Sequence, residues 1–109
     1  MRTLKFIVEG LIVKPDPNCN FDNLIPGTEG YLNAEFSFSP EWNGHQKVAS
    51  FWSMMGTEYP PQVLTDGKTC CIPTEALKNR VFRVQVIGKS VNSRLITNKL
   101  SVNQNGGKS

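Results

Sequence analysis

Between positions 31 and 52 two alternating runs flank a turn, a pattern that restricts the chain to strands. Leu32, Ala34, Phe36 and Phe38 share one parity and Tyr31, Asn33, Glu35 and Ser37 the other, the period-two signature of a half-buried strand. After Ser39-Pro40-Glu41-Trp42-Asn43-Gly44, Val48, Ser50 and Trp52 oppose Ala49 and Phe51 over residues 47–52. The two runs read as a hairpin or as a corner between sheets. Trp42 caps an open end of the core in either case, with its N–H placed near a carbonyl.

The rest of the chain repeats this grammar. Residues 3–9 alternate with Leu4, Phe6 and Val8 on one side, and Gly10 allows a bend or bulge before Leu11-Ile12-Val13. Pro15 and Pro17 remove two backbone donors, so residues 15–20 form an extended surface crossing. Residues 21–25 either add a short strand or pack across the end of the core. Gln62-Val63-Leu64, an Asp66-Gly67 turn and residues 69–72 predict a small hairpin. Pro73-Thr74-Glu75-Ala76-Leu77 predicts one helical turn. Residues 81–87 form a central strand, with Phe82, Val84 and Val86 facing one way and Val81, Arg83, Gln85 and Ile87 the other. Asn98 shares parity with Ile96, Leu100 and Val102, which predicts a bulge or a break near Thr97-Asn98.

Six to eight short strands with at most one helical turn specify an all-β fold, an antiparallel β-sandwich in preference to a barrel. At 109 residues, 39% hydrophobic and 19% charged, the chain suits one soluble domain over residues 1–102, with a flexible tail at 103–109. Phe36, Phe38, Phe51, Phe82, Val84 and Val86 form the expected core. No apolar run approaches the length of a spanning helix, and the start alternates in polarity, so neither membrane insertion nor export through the N-terminus is expected.

Charge is unevenly distributed. All nine acidic residues lie before Lys78, whereas seven of the twelve basic ones (Lys78, Arg80, Arg83, Lys89, Arg94, Lys99 and Lys108) follow Leu77. Such a segment suits either an anionic partner or neutralisation on the sheets, with Glu9 and Glu35 as cross-strand partners. The second reading is preferred because the cations are spaced among apolar residues. Nucleic acid is disfavoured as a partner because no stacking or finger motif accompanies the charge. Cys19, Cys70 and Cys71 make a poor disulfide framework, and adjacent strand residues face opposite ways, so one of Cys70 and Cys71 is expected in the core and the other partly exposed.

Catalytic, cofactor and metal sites are all expected to be absent. His45 is the one histidine and lies in a loop; no nucleophile elbow or phosphate loop is present, and Gly106-Gly107-Lys108-Ser109 lacks the strand and helix that a phosphate loop needs. Met54, Met55 and Tyr59, in a stretch interrupted by Gly56, Pro60 and Pro61, are the candidates for a protein contact.

Taken together, Glu35-Phe36-Ser37-Phe38-Ser39-Pro40-Glu41-Trp42-Asn43-Gly44, Ala49-Ser50-Phe51, the run from Leu64-Thr65-Asp66-Gly67 through Cys70-Cys71-Ile72-Pro73 to Leu77, Phe82-Arg83-Val84-Gln85-Val86-Ile87-Gly88 and Leu95-Ile96-Thr97-Asn98 resemble a small Ig-like β-sandwich module of tailed-phage structural proteins. Such modules stand at the N-terminal ends of tail, baseplate and head-fibre proteins. The resemblance covers residues 31–102 and includes no catalytic signature. It implies a virion structural, adaptor or decoration component that binds virion proteins or further copies of itself. The alternative is a small phage inhibitor that blocks a host or anti-phage defence protein. The implied location is the virion or the cytoplasm of an infected bacterial host.

Overall fold

The computed structural model describes residues 1–104. Its strands in chain order are β1 (Arg2–Glu9), β2 (Ile12–Pro15), β3 (Leu32–Phe38), β4 (Gln46–Ser53), β5 (Gln62–Val63), β6 (Thr69–Cys71), β7 (Val81–Lys89), β8 (Arg94–Ile96) and β9 (Leu100–Asn103). They form two sheets, ordered β2-β1-β3-β6 and β5-β4-β7-β8, with β9 also pairing with β7. Both β3 to β4 and β6 to β7 cross between the sheets, while β3 lies beside β6 and β4 beside β7, which is the Greek-key order of an Ig-like sandwich.

Three features differ from expectation. First, β1 runs parallel to β3, pairing Phe6 with Phe36, so the sandwich is not wholly antiparallel. The connection over residues 16–31 returns the chain to the end where β1 began, as a parallel pair requires. It lies across the core without forming a strand: Leu24 is buried, Phe21 meets Phe6 edge-on at 5.5 Å, and Arg2 donates hydrogen bonds to the carbonyls of Asn20, Asp22 and Asn23. Second, β5 and β6 do not form a hairpin, because β5 pairs with β4 and β6 with β3. The Asp66 carboxylate accepts the N–H groups of Lys68 and Thr69 and makes the turn a corner between sheets. Third, the described residues hold nine strands and two helical turns, a 3-10 turn at Pro40–Trp42 and α1 (Thr74–Leu77).

The core follows the alternation. Leu4, Phe6, Val8, Leu32, Ala34 and Phe36 meet Ala49, Phe51, Phe82, Val84 and Val86 between the sheets. Phe38, expected among them, is only partly buried at the end of β3, where the Lys47 ammonium lies 5.1 Å from its ring centroid. Trp42 is fully buried there and donates from Nε1 to the Gly10 carbonyl at 2.8 Å. This is the expected cap.

The break near Thr97-Asn98 is an inserted residue. β8 pairs Ile87 with Ile96, whereas β9 pairs Val84 with Leu100, a register one residue different. Thr97 Oγ1 accepts the Val86 N–H at 2.9 Å, so a side chain replaces one rung of the ladder. Asn98 Oδ1 accepts the Val13 N–H at 2.8 Å and thereby ties β2 to the other sheet. The domain also extends past its expected end at 102. Asn103 belongs to β9, and buried Gln104 donates from Nε2 to the carbonyls of Leu77 and Asn79. The remainder of the expected tail, 105–109, lies outside the described residues.

Candidate protein-interaction surface

The three residues singled out from the sequence are separated by a turn built on Ser53. Its Oγ accepts the N–H groups of Met55 and Thr57, and its backbone N–H donates to the Thr57 carbonyl. With Gly56 at φ +93°, this turn leaves Met54 and Met55 at its tip, Met55 at 92% exposure. Tyr59 does not join them. It packs against the core, and its hydroxyl accepts a hydrogen bond from Asn79 Nδ2 at 2.9 Å. Tyr59 therefore anchors the return of the loop against the residues following α1.

A larger surface lies on the outward face of the second sheet. Ala49 and Val86 pair inward, so the next pair, Val48 and Ile87, faces outward. Val48 also pairs with Val63 on β5, and Ile87 with Ile96 on β8. Val63, Val48, Ile87 and Ile96 thus form one apolar row across four strands, about 15 Å long at the usual strand spacing. The end residues are exposed, Val63 at 49% and Ile96 at 38%. The parity of Val48 and Ile87 was visible in the sequence, but the alignment of all four residues rests on strand pairing.

The middle pair of this row, Val48 and Ile87, lines a shallow groove of about 340 Å³ between the sheet and the Glu58–Pro61 side of the loop, with Ser50 also lining it. Ser50 is buried and its Oγ has no hydrogen-bond partner among the described residues; the same holds for Trp52 Nε1 on the same face. Lys89 and Arg94 pair beside the row at one end. Four residues from Val48 and Ile87 along β4 and β7, Arg83 pairs with Trp52, whose ring centroid lies 3.6 Å from the Lys99 ammonium. Glu58 is the carboxylate lining the groove.

The expected neutralisation of these cations by Glu9 and Glu35 does not occur. Both carboxylates belong to the first sheet, whereas Arg83, Lys89, Arg94 and Lys99 belong to or adjoin β7, β8 and β9 in the second. Among the described residues the one salt bridge joins Lys14 to Glu9.

His45 makes an unanticipated contact. Its Nε2 lies 2.7 Å from Ser93 Oγ, and Ser90 Oγ lies 3.1 Å from the same oxygen. A hydroxyl beside an imidazole has the outline of a nucleophile and base. The hydroxyl is on an exposed loop and the groove residues include neither partner, so the contact ties the turn before β4 to the turn before β8. Of the cysteines, Cys70 is buried, Cys71 exposed and Cys19 intermediate. Burial, followed by the charges of Cys71 and Asp66, pushes the Cys70 thiol up to about 12, which keeps it protonated and a poor nucleophile near neutrality. Groups of three or more potential metal ligands do not occur among the described residues, and no helix there is long and apolar enough to cross a membrane. No family model and no curated protein matches the sequence.

Proposed function

We propose that this chain is a non-enzymatic protein-interaction module and, following its resemblance to tailed-phage sandwich modules, a structural, adaptor or decoration component of a virion. The observation that supports an interaction role is the row Val63, Val48, Ile87 and Ile96, an apolar strip on the outer face of a sheet whose inner face already supplies the core. A contiguous aliphatic strip of this kind, exposed at Val63 and Ile96 and partly exposed at Val48 and Ile87, characterises a binding surface more than a solvated one.

Co-sedimentation with particles of the virus that encodes the chain tests the structural role. A stoichiometric soluble complex with a host protein would instead assign the inhibitor role. Val63→Ser combined with Ile96→Ser, both exposed, should weaken either association by about 2 kcal/mol or more if the row holds an anchor. A chain that joins neither particles nor a host protein, or a turnover abolished by His45→Ala, sinks the reading.

A further inference from the structure

We infer that the partner of the second sheet's outer face is a protein surface of apolar side chains bordered by carboxylates. This rests on the interaction reading above and specifies its chemistry. Two properties of the face support it together. The apolar row needs an apolar counterpart, since aliphatic side chains gain from leaving water. Lys89 and Arg94 line the groove beside it, and Arg83 and Lys99 stand farther along the same face, against the carboxylates of Glu58 in the groove and Asp66 near Val63; none of these cations has a salt-bridge partner among the described residues.

The same charge argues against a second copy of the chain as the occupant. A two-fold contact sets one patch against itself, bringing Lys89, Arg94, Arg83 and Lys99, in excess over Glu58 and Asp66, against an identical set; like charges across an interface disfavour that association. Nucleic acid would use the cations but not the aliphatic row. Proteins hold unpaired strands by stacking the bases on exposed aromatic faces, and Trp52, the aromatic residue on this face, already has one ring face occupied by the Lys99 ammonium. An acid-bordered apolar surface uses both properties.

The experiment is an amide-resolved NMR titration of the whole chain with three probes: a synthetic peptide alternating Asp and Leu, its counterpart alternating Lys and Leu, and a single-stranded oligonucleotide. The Asp/Leu peptide should shift the amides of Val48, Ile87, Lys89, Arg94 and Ile96, bind less well as salt rises, and lose about tenfold in affinity with Lys89→Glu and Arg94→Glu together. Absence of binding, equal binding of the two peptides, shifts confined to other residues, or preferential oligonucleotide binding at this face each overturns the proposal. Concentration-dependent dimerisation that broadens the same amides does so too. If association with virion or host is lost with Val63→Ser and Ile96→Ser but is indifferent to Lys89→Glu and Arg94→Glu, the interaction module stands and the carboxylate-bordered partner falls.

Discussion

The indole of Trp42 occupies the space that a side chain at Gly88 would need: a Cβ at position 88 would lie 2.7 Å from Cζ3 and 2.8 Å from Cε3 of that ring. Trp42 is held in place by its Nε1 bond to the Gly10 carbonyl, so the ring has little freedom to retreat. Gly88→Ala should therefore destabilise the fold by about 1–3 kcal/mol through overpacking. Urea midpoints provide the measurement. Trp42→Phe should relieve part of the Gly88→Ala penalty, so the two substitutions combine less than additively; strict additivity would refute the steric explanation.

Phe82 and Lys99 stand on opposite faces of the second sheet and should respond differently. Truncating buried Phe82 to Ala should cost about 3–5 kcal/mol. Lys99 lies over the Trp52 ring, a contact not visible in the sequence, so Lys99→Ala should cost about 0.5–1 kcal/mol, more than an ordinary surface change. Indole fluorescence in Lys99→Ala and Lys99→Met, followed by denaturation, separates the cation from the packing of its stem.

Cys70 gives the fold an alkaline sensitivity. Its thiol is pushed from the ordinary 9.0 up to about 12, first by burial and then by Cys71 and Asp66. The unfolded chain ionises at this position before the folded one, so it holds fewer protons between those values and stability falls as pH rises through that window. Below it this contribution is fully present. Cys70→Ala should make the alkaline decline of the denaturation midpoint shallower than in the parent protein. An unchanged slope would exclude Cys70 as its source. With a thiol reagent near neutral pH, exposed Cys71 should react promptly and Cys70 only as the protein unfolds.

Met55 and Tyr59 belong to one loop but have different roles. Met55→Ser should alter stability by less than about 0.5 kcal/mol. Tyr59→Ser should cost about 2–4 kcal/mol, because it removes a ring packed on the core and the acceptor for Asn79. Tyr59→Phe, which keeps the ring, should cost about 0.5–1.5 kcal/mol. Thermal denaturation of the three variants checks the order. If Tyr59→Ser is as mild as Met55→Ser, the anchoring role is wrong.

Local chemistry determined much of this protein before any long-range contact formed. Alternation assigned Leu4, Phe6, Val8, Leu32, Ala34, Phe36, Phe82, Val84 and Val86 to inward faces, because successive strand side chains point to opposite sides. Pro73 with good helix formers after it marked α1, and Asn98 at an apolar parity marked the inserted residue in the ladder beside β7. Which strands lie beside one another was decided only in three dimensions. Parity is a property of one strand, whereas pairing depends on contacts between distant residues, and so the parallel β1–β3 ladder and the placement of β5 and β6 in different sheets had no local signature. The candidate surface divides in the same way. The sequence showed a basic final third and placed Ile87 on the parity opposite the core, but only the registers aligning Val63, Val48, Ile87 and Ile96 make one strip of them. The separation of Glu9 and Glu35 into the other sheet leaves the cations around that strip without the carboxylates that sequence alone had paired with them, because charge along a chain carries no information about which sheet it will join.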